Sequence, residues 1–215
     1  MTRDLATTLA WAGTGTRLCA SAIAGLSEQE YGAASALPDW TRKHVVAHLA
    51  ANAEALGNLV HWARTGEETP MYASPRERAE GIERGSRLGA DELTRWFTES
   101  AATLAAAMAA LSDEAWRAEV VTAQGRTVPA SEIPWMRSRE VMVHAVDLAT
   151  GLTFADLPDG FLRALRQDIR ARRGRDAVPE VEGSPAEVTA YLAGRPAAGV
   201  TAAGGGLPPT LPPWL

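Results

Sequence analysis

Two histidines and one glutamate stand at spacings that can build a metal site. Glu140 and His144 are four residues apart in REVMVHAVDL, so on a helix both side chains project from one face. His48 lies in HVVAHLAANAEAL, among apolar residues that a helix would turn toward the interior of a bundle. Two histidines and one carboxylate, with a further position left open, are typical of catalytic zinc.

The same spacing also has simpler interpretations. A Glu and a His one turn apart often form only a surface pair, and a lone histidine in an apolar helix is often part of the core. His44 is a rival ligand, but Arg42 and Lys43 beside it indicate a helix start, so we expect it at the mouth of the site or in solvent. Asp147 can orient His144 if its carboxylate points back toward the site.

Arginine is the second residue type that bears on chemistry. Arg139 directly precedes Glu140, and Arg195 follows Gly194 at a predicted helix end. Guanidinium groups bind carboxylates through two parallel hydrogen bonds, so an anionic substrate near a metal would use such residues. The one cysteine, Cys19, lies in an apolar-periodic segment, where we expect a buried thiol with no catalytic role.

These residues lie in segments that predict long helices. Residues 1–150 are Ala-rich, with apolar residues at three- and four-residue spacing, and they predict helices over residues 4–25, 41–65, 91–111 and 131–150. Long helices in sequence indicate a bundle. The connection over residues 66–90 is too long for a turn between neighbours, and we expect it to cross the bundle. EVVTAQGRTVP, between the third and fourth helices, predicts a hairpin.

The composition changes after Gly151, where Pro, Gly and Arg become frequent. We therefore predict two domains, a helical bundle over residues 1–151 and a small α/β domain over residues 152–215. Within the second domain, the sequence predicts helices over residues 159–173 and from Ser184 to Gly194, and strands over residues 177–182 and 199–203. Ser184 is the expected helix cap, with Glu187 reaching back to it.

Length and charge exclude several classes of protein. The chain has 215 residues, 46% of them hydrophobic and 22% charged, which is ordinary for a globular protein. The net charge of −5 offers no general attraction to a polyanion, so we expect no nucleic-acid partner. No apolar run approaches the roughly 20 residues of a membrane span, and the first residues do not read as a signal peptide. The sequence therefore predicts a cytoplasmic protein without a membrane partner.

Three stretches of sequence together resemble the mycothiol-dependent maleylpyruvate isomerases: WTRKHVVAHLAANAEALGNLVHWARTGEETPMYAS, IPWMRSREVMVHAVDLATG and YLAGRP, followed by a proline-rich PPWL end. The resemblance covers nearly the whole chain. It implies a mainly α fold, a DinB-type four-helix bundle with a small C-terminal α/β domain. It also implies that His48, Glu140 and His144 bind a divalent metal, usually zinc, and that Arg195 is an active-site arginine.

The implied activity is cis-trans isomerisation of 3-maleylpyruvate to 3-fumarylpyruvate in aromatic compound degradation, with the thiol mycothiol as cofactor. Adding a thiolate to the conjugated alkene leaves a single bond that can rotate, and elimination restores the alkene as trans. Cationic groups would stabilise the enolate, with Arg195 as the first candidate and Arg139 as the second. Two alternatives remain: a mycothiol S-transferase acting on another electrophile, and a non-catalytic bundle that binds a small ligand.

Overall fold

A computed structural model describes residues 3–174 and 177–214 of the chain. It divides into two compact units, Met1–Thr150 and Gly151–Leu215. The first unit ends one residue before the predicted boundary at residue 151. Within the two described ranges, no helix combines the length and the apolar character needed to cross a membrane.

The first unit is built mainly from helices. In chain order these are α1 (Leu5–Ile23), α2 (Glu28–Gly32), α3 (Arg42–Thr65), α4 (Pro75–Gly85), α5 (Ala90–Ala109), α6 (Asp113–Arg117) and α7 (Ile133–Asp147). Helix α1 packs against α7, and α3 packs against both α5 and α7, so the four long helices form a bundle. The predicted mainly α fold is confirmed, and the four predicted helices correspond to α1, α3, α5 and α7.

Local signals set the ends of the long helices. Asp4 precedes α1 and accepts a hydrogen bond from the Thr7 backbone N–H at 3.0 Å, which satisfies one of the free donors of the first turn. Helix α3 ends at Gly66, whose φ of 76° lies in the left-handed region that glycine adopts without a steric penalty. Such signals are readable from the sequence, and the predicted ends therefore lie within a few residues of the observed ones.

The connection between α3 and α5 differs from the prediction, because it contains helix α4. Ser74 caps this helix by accepting a hydrogen bond from the Glu77 N–H at 3.1 Å, and Pro75 occupies the first turn. The helix packs closely on its neighbours at Gly85, where an added Cβ would lie 2.7 Å from Ala47 and 2.8 Å from the Trp96 ring. A larger residue at this position would push α4 away from α3.

The predicted hairpin is confirmed between α6 and α7. Strands β1 (Glu119–Val121) and β2 (Thr127–Pro129) pair antiparallel, with Val120 opposite Val128. Both of these valines are buried in an apolar cluster that also contains Leu56 of α3, Leu104 of α5 and Ile133 of α7. The hairpin is thus fastened to the bundle core through one face.

The second unit contains helices α8 (Asp159–Arg173) and α9 (Pro185–Leu192), and strands β3 (Val181–Glu182) and β4 (Thr201–Ala202), which pair antiparallel. Ser184 caps α9 as predicted, accepting a hydrogen bond from the Glu187 N–H at 3.2 Å. The predicted return bond from Glu187 to Ser184 is wrong. The Glu187 carboxylate instead accepts a hydrogen bond from the Gly199 N–H at 3.3 Å, which links α9 to the chain before β4.

Candidate metal centre

Helices α3 and α7 bring His48, Glu140 and His144 together inside the bundle. His48 lies in the second turn of α3, while Glu140 and His144 are one turn apart on the face of α7 that packs toward α3. One ligand atom from each side chain lies within 4.8 Å of the other two. The His48 Nε2 atom is 2.8 Å from Glu140 Oε2, and the His144 Nε2 atom is 3.3 Å from the same oxygen.

The surroundings of this cluster control the protonation of its members. Burial by itself would raise the pKa of Glu140, but hydrogen bonds from His144 and His48 hold it well below its ordinary value. Burial lowers the pKa of His48. Burial also opposes a charge on His144, but its hydrogen bonds to Asp147 and Glu140 leave its pKa raised. The cluster therefore presents an ionised carboxylate between two imidazoles.

Asp147 contacts the cluster through a hydrogen bond with His144. Its Oδ2 atom accepts a hydrogen bond from His144 Nδ1 at 2.8 Å, and the residue is 0% exposed. With one proton held on Nδ1, the Nε2 atom of His144 points toward Glu140 and, once its own proton is released, offers a lone pair to a metal. Two imidazole nitrogens and a carboxylate oxygen, one of them oriented by a buried carboxylate, are a donor set that fits a divalent transition metal.

His44 lies outside the cluster, although it is one turn from His48 on the same helix. Its Nδ1 atom accepts a hydrogen bond from the Thr41 backbone N–H at 3.2 Å, across the first turn of α3. Its Nε2 atom lies 3.5 Å from a carboxylate oxygen of Glu83 on α4. His44 therefore caps the first turn of α3, which agrees with its expected position at a helix start.

A cavity of about 590 Å³ opens onto the cluster. His48 and Glu140 form part of its wall, opposite the hairpin turn over residues 121–125 and the connection that leads into α4. Glu68, Tyr72 and Ser74 from the connection and Arg78 from α4 are polar residues of this wall. The cavity gives a small molecule access to two of the three candidate ligands.

Comparison with known proteins assigns the family. The family model described as the mycothiol maleylpyruvate isomerase N-terminal domain matches residues 12–149. The chain belongs to the mycothiol maleylpyruvate isomerase family. Comparison with functionally curated proteins finds no significant match. The match to the family model confirms the resemblance drawn from the sequence.

Two solved structures are similar to this family member along its full length. The crystal structure of a mycothiol-dependent maleylpyruvate isomerase is 42% identical, with a TM-score of 0.93 and 100% coverage of both chains. A histidine-to-alanine mutant of a mycothiol-dependent maleylpyruvate isomerase is 41% identical, again with a TM-score of 0.93 and full coverage. The similarity includes the second unit, beyond the residues that the family model matches.

Two arginines near Glu140 are buried in this family member. Arg139 is 7% exposed, and its guanidinium carbon lies 5.9 Å from the centre of the Trp135 ring. Arg137 is buried and donates hydrogen bonds to the Leu49 carbonyl at 2.7 Å and to Asn52 Oδ1 at 2.9 Å. Arg137 thus ties α7 to α3, the two helices that carry the candidate ligands.

Arg195 belongs to the second unit of the isomerase-family chain. It follows α9, is 8% exposed, and donates from Nη1 to the Ala193 carbonyl at 2.7 Å. Its backbone N–H also donates to the Ala190 carbonyl at 2.9 Å. The end of α9 therefore holds the arginine by both its backbone and its side chain.

Cys19 is a buried thiol, as the sequence predicts. Its Sγ atom donates to the Val141 carbonyl at 3.0 Å, between α1 and α7. Burial raises its pKa to about 12, so the thiol stays protonated at neutral pH. The isomerase-family chain thus keeps this sulfur in a form that is a poor nucleophile.

Sequence reasoning missed three polar residues at the cavity: Asn52, Tyr72 and Arg78. Asn52 follows His48 by one turn of α3, and this spacing places it on the same helix face. Tyr72 and Arg78 belong to the connection, and only the Ser74-Pro75 start of α4 signals that this segment is ordered. Burial raises the pKa of the Tyr72 hydroxyl, so it stays protonated beside the cluster.

Proposed function

We propose that this protein catalyses the cis-trans isomerisation of 3-maleylpyruvate to 3-fumarylpyruvate, with mycothiol as thiol cofactor and a divalent metal bound by His48, Glu140 and His144. The observation that carries the proposal is the buried His-Glu-His cluster opening onto a cavity, in a chain similar along its full length to a mycothiol-dependent maleylpyruvate isomerase. Zinc is our choice of metal, since two imidazoles and a carboxylate with a free position suit it.

The chemistry requires a thiolate and a way to lower the order of a double bond. A metal held by these three residues would lower the pKa of a bound thiol, which is otherwise protonated at neutral pH. The thiolate sulfur adds to the alkene carbon of the substrate, and the electron pair of the double bond moves onto the conjugated ketone as an enolate. The remaining carbon-carbon single bond rotates. Collapse of the enolate then expels the thiolate and leaves the trans alkene, so the thiol is recovered.

The residues of this chain have separate roles in these reaction steps. The carboxylate of Glu140 and the imidazoles of His48 and His144 would hold the metal, and Asp147 would keep a proton of His144 on Nδ1. Arg195 is our first candidate for the cation that stabilises the enolate, and Arg139 is the second. Arg195 ranks first because the resemblance to the family implies it as an active-site arginine, whereas Arg139 packs on the Trp135 ring.

The test is an ultraviolet assay of maleylpyruvate with zinc-loaded protein, with and without mycothiol, together with a titration of free thiol before and after the reaction. Conversion to fumarylpyruvate with no net loss of thiol supports the proposal. A mycothiol S-transferase would instead consume one thiol for each substrate molecule. A non-catalytic bundle would leave both concentrations unchanged.

A further inference from the structure

Arg78 is a cationic residue at the cavity that sequence reasoning did not identify. It projects from the first turns of α4, and its Nη2 atom lies 3.4 Å from His48 Nδ1. Among the described residues that line the cavity, it is the one arginine, and none is a lysine. The guanidinium therefore lies in the wall of the cavity, beside one of the candidate metal ligands.

The charged residues around the cavity indicate that an anionic substrate would need a cationic side chain there. Its wall carries the carboxylates of Glu68 and Glu140 against the single guanidinium of Arg78. Maleylpyruvate has two carboxylates, which Glu68 would repel, while a metal held by Glu140 would offset the charge of that carboxylate. A guanidinium binds a carboxylate through two parallel hydrogen bonds, which fixes both its position and its orientation.

We propose that Arg78 binds one carboxylate of the substrate in this cavity and so positions its alkene beside the metal; the inference rests on the proposed isomerase function. Tyr72 supports the placement, because the Arg78 guanidinium carbon lies 6.0 Å from its ring centre, within the range of a cation-π contact.

The contact between Arg78 and His48 does not commit the guanidinium to the histidine. His48 faces Glu140 with Nε2. A neutral imidazole that gives its Nε2 lone pair to a metal carries its proton on Nδ1, so Nδ1 is then a donor. Two donors, Nδ1–H and the guanidinium, would converge at this point, and an anionic oxygen between them can accept from both.

Other arginines of α4 and α7 are less suited to this role. Arg137 is committed to Leu49 and Asn52 inside the bundle. Arg84, on the last turn of α4, lines the neighbouring cavity of about 700 Å³ that Tyr72 and Arg78 also line, but it is not in the wall of the cavity that includes His48. Arg76 points outward and pairs with Glu80 at 2.7 Å. Arg76 therefore provides a matched control on the same helix.

The test compares zinc-loaded wild-type protein with Arg78→Met, Arg78→Lys and Arg76→Met. Steady-state kinetics give KM for maleylpyruvate and for mycothiol separately, calorimetry measures maleylpyruvate binding without thiol, and elemental analysis measures zinc. We expect Arg78→Met to weaken maleylpyruvate binding and raise its KM about tenfold or more, with zinc and the KM for mycothiol unchanged. Arg78→Lys should recover part of the affinity, and Arg76→Met should match wild type.

Two results would overturn the assignment while leaving the isomerase function intact. One is unchanged maleylpyruvate binding and KM in Arg78→Met. The other is loss of zinc in that variant with proportional loss of all activity, which would make Arg78 a support of His48 only. If the wild-type protein does not isomerise maleylpyruvate with mycothiol, the proposed function fails and the role of Arg78 fails with it.

Discussion

The fully buried carboxylate of Asp147 accepts a hydrogen bond from His144 Nδ1 at 2.8 Å, three residues along the same helix. This contact sets the tautomer of His144 and turns its Nε2 atom toward Glu140. The position of the candidate metal site along α7 thus depends on three residues within two turns of helix, Glu140, His144 and Asp147.

We expect Asp147→Asn to weaken metal binding by about 10- to 100-fold, because the amide keeps the shape of the side chain but loses the charge that favours the Nδ1 proton. Competition with a chromophoric chelator measures this affinity. Asp113→Asn, on the exposed start of α6, is the control and should bind metal like wild type. Wild-type affinity in Asp147→Asn would show that His144 needs no such partner.

His48→Ala should lose stoichiometric zinc and activity, whereas His44→Ala should keep both. The two histidines are one turn apart on α3, but only His48 lies in the cluster. His44→Ala removes a hydrogen bond at the helix start and should lower the free energy of unfolding by about 1 kcal/mol. Elemental analysis and thermal unfolding separate these effects. Full zinc content in His48→Ala would refute the ligand assignment.

Cys19 should be inert in the folded protein. Because its pKa is raised to about 12, iodoacetamide at pH 8 should label it only after unfolding, as mass spectrometry can determine. The folded-state pKa exceeds the unfolded value, so this thiol contributes stability below pH 9.0, and that contribution is lost as the pH rises toward 12. Cys19→Ser should therefore remove part of the alkaline loss of stability.

The same Cys19→Ser variant tests the source of the reacting sulfur. If the thiol is external, the variant should isomerise maleylpyruvate like wild type when mycothiol is added, and neither protein should do so in thiol-free buffer. A folded, zinc-loaded variant without activity would point to the protein's own sulfur instead.

Arg195→Ala should lower kcat on the order of a hundredfold while keeping zinc, as when one electrostatic stabiliser of an oxyanion is removed. The variant also loses the hydrogen bond to the Ala193 carbonyl, so the free energy of unfolding should fall by about 1 kcal/mol. The assays should therefore be carried out well below the melting temperature. Arg195→Lys should recover only part of kcat, since a point charge lacks the bidentate geometry.

Arg163→Ala provides the control for Arg195, since Arg163 is an exposed arginine on α8 of the same unit. This variant should match wild type in kcat, in zinc content and in stability. Near-normal kcat in Arg195→Ala would leave Arg139 as the candidate for enolate stabilisation.

Features that depend on near neighbours in the chain are predictable from the sequence here. The pair Glu140 and His144 needs only helical periodicity, and the hairpin around Gly125 and the caps at Asp4 and Ser184 need only residues a few positions away. The burial of Cys19 follows from the apolar pattern around it. These interactions form within one or two turns, so the local sequence contains all the groups that make them.

Tertiary packing decided the features that depend on distant segments. Periodicity alone cannot choose between His44 and His48, because both lie on one face of α3. The charged neighbours of His44 favour His48, but its contact with Glu140 depends on where α7 crosses that helix. The same holds for Arg78, which reaches His48 only because α4 packs on α3 at Gly85. Glu187 likewise takes the Gly199 N–H rather than Ser184. In each case the partner lies elsewhere in the chain, and its position is set by the burial of apolar surface that only the folded unit brings together.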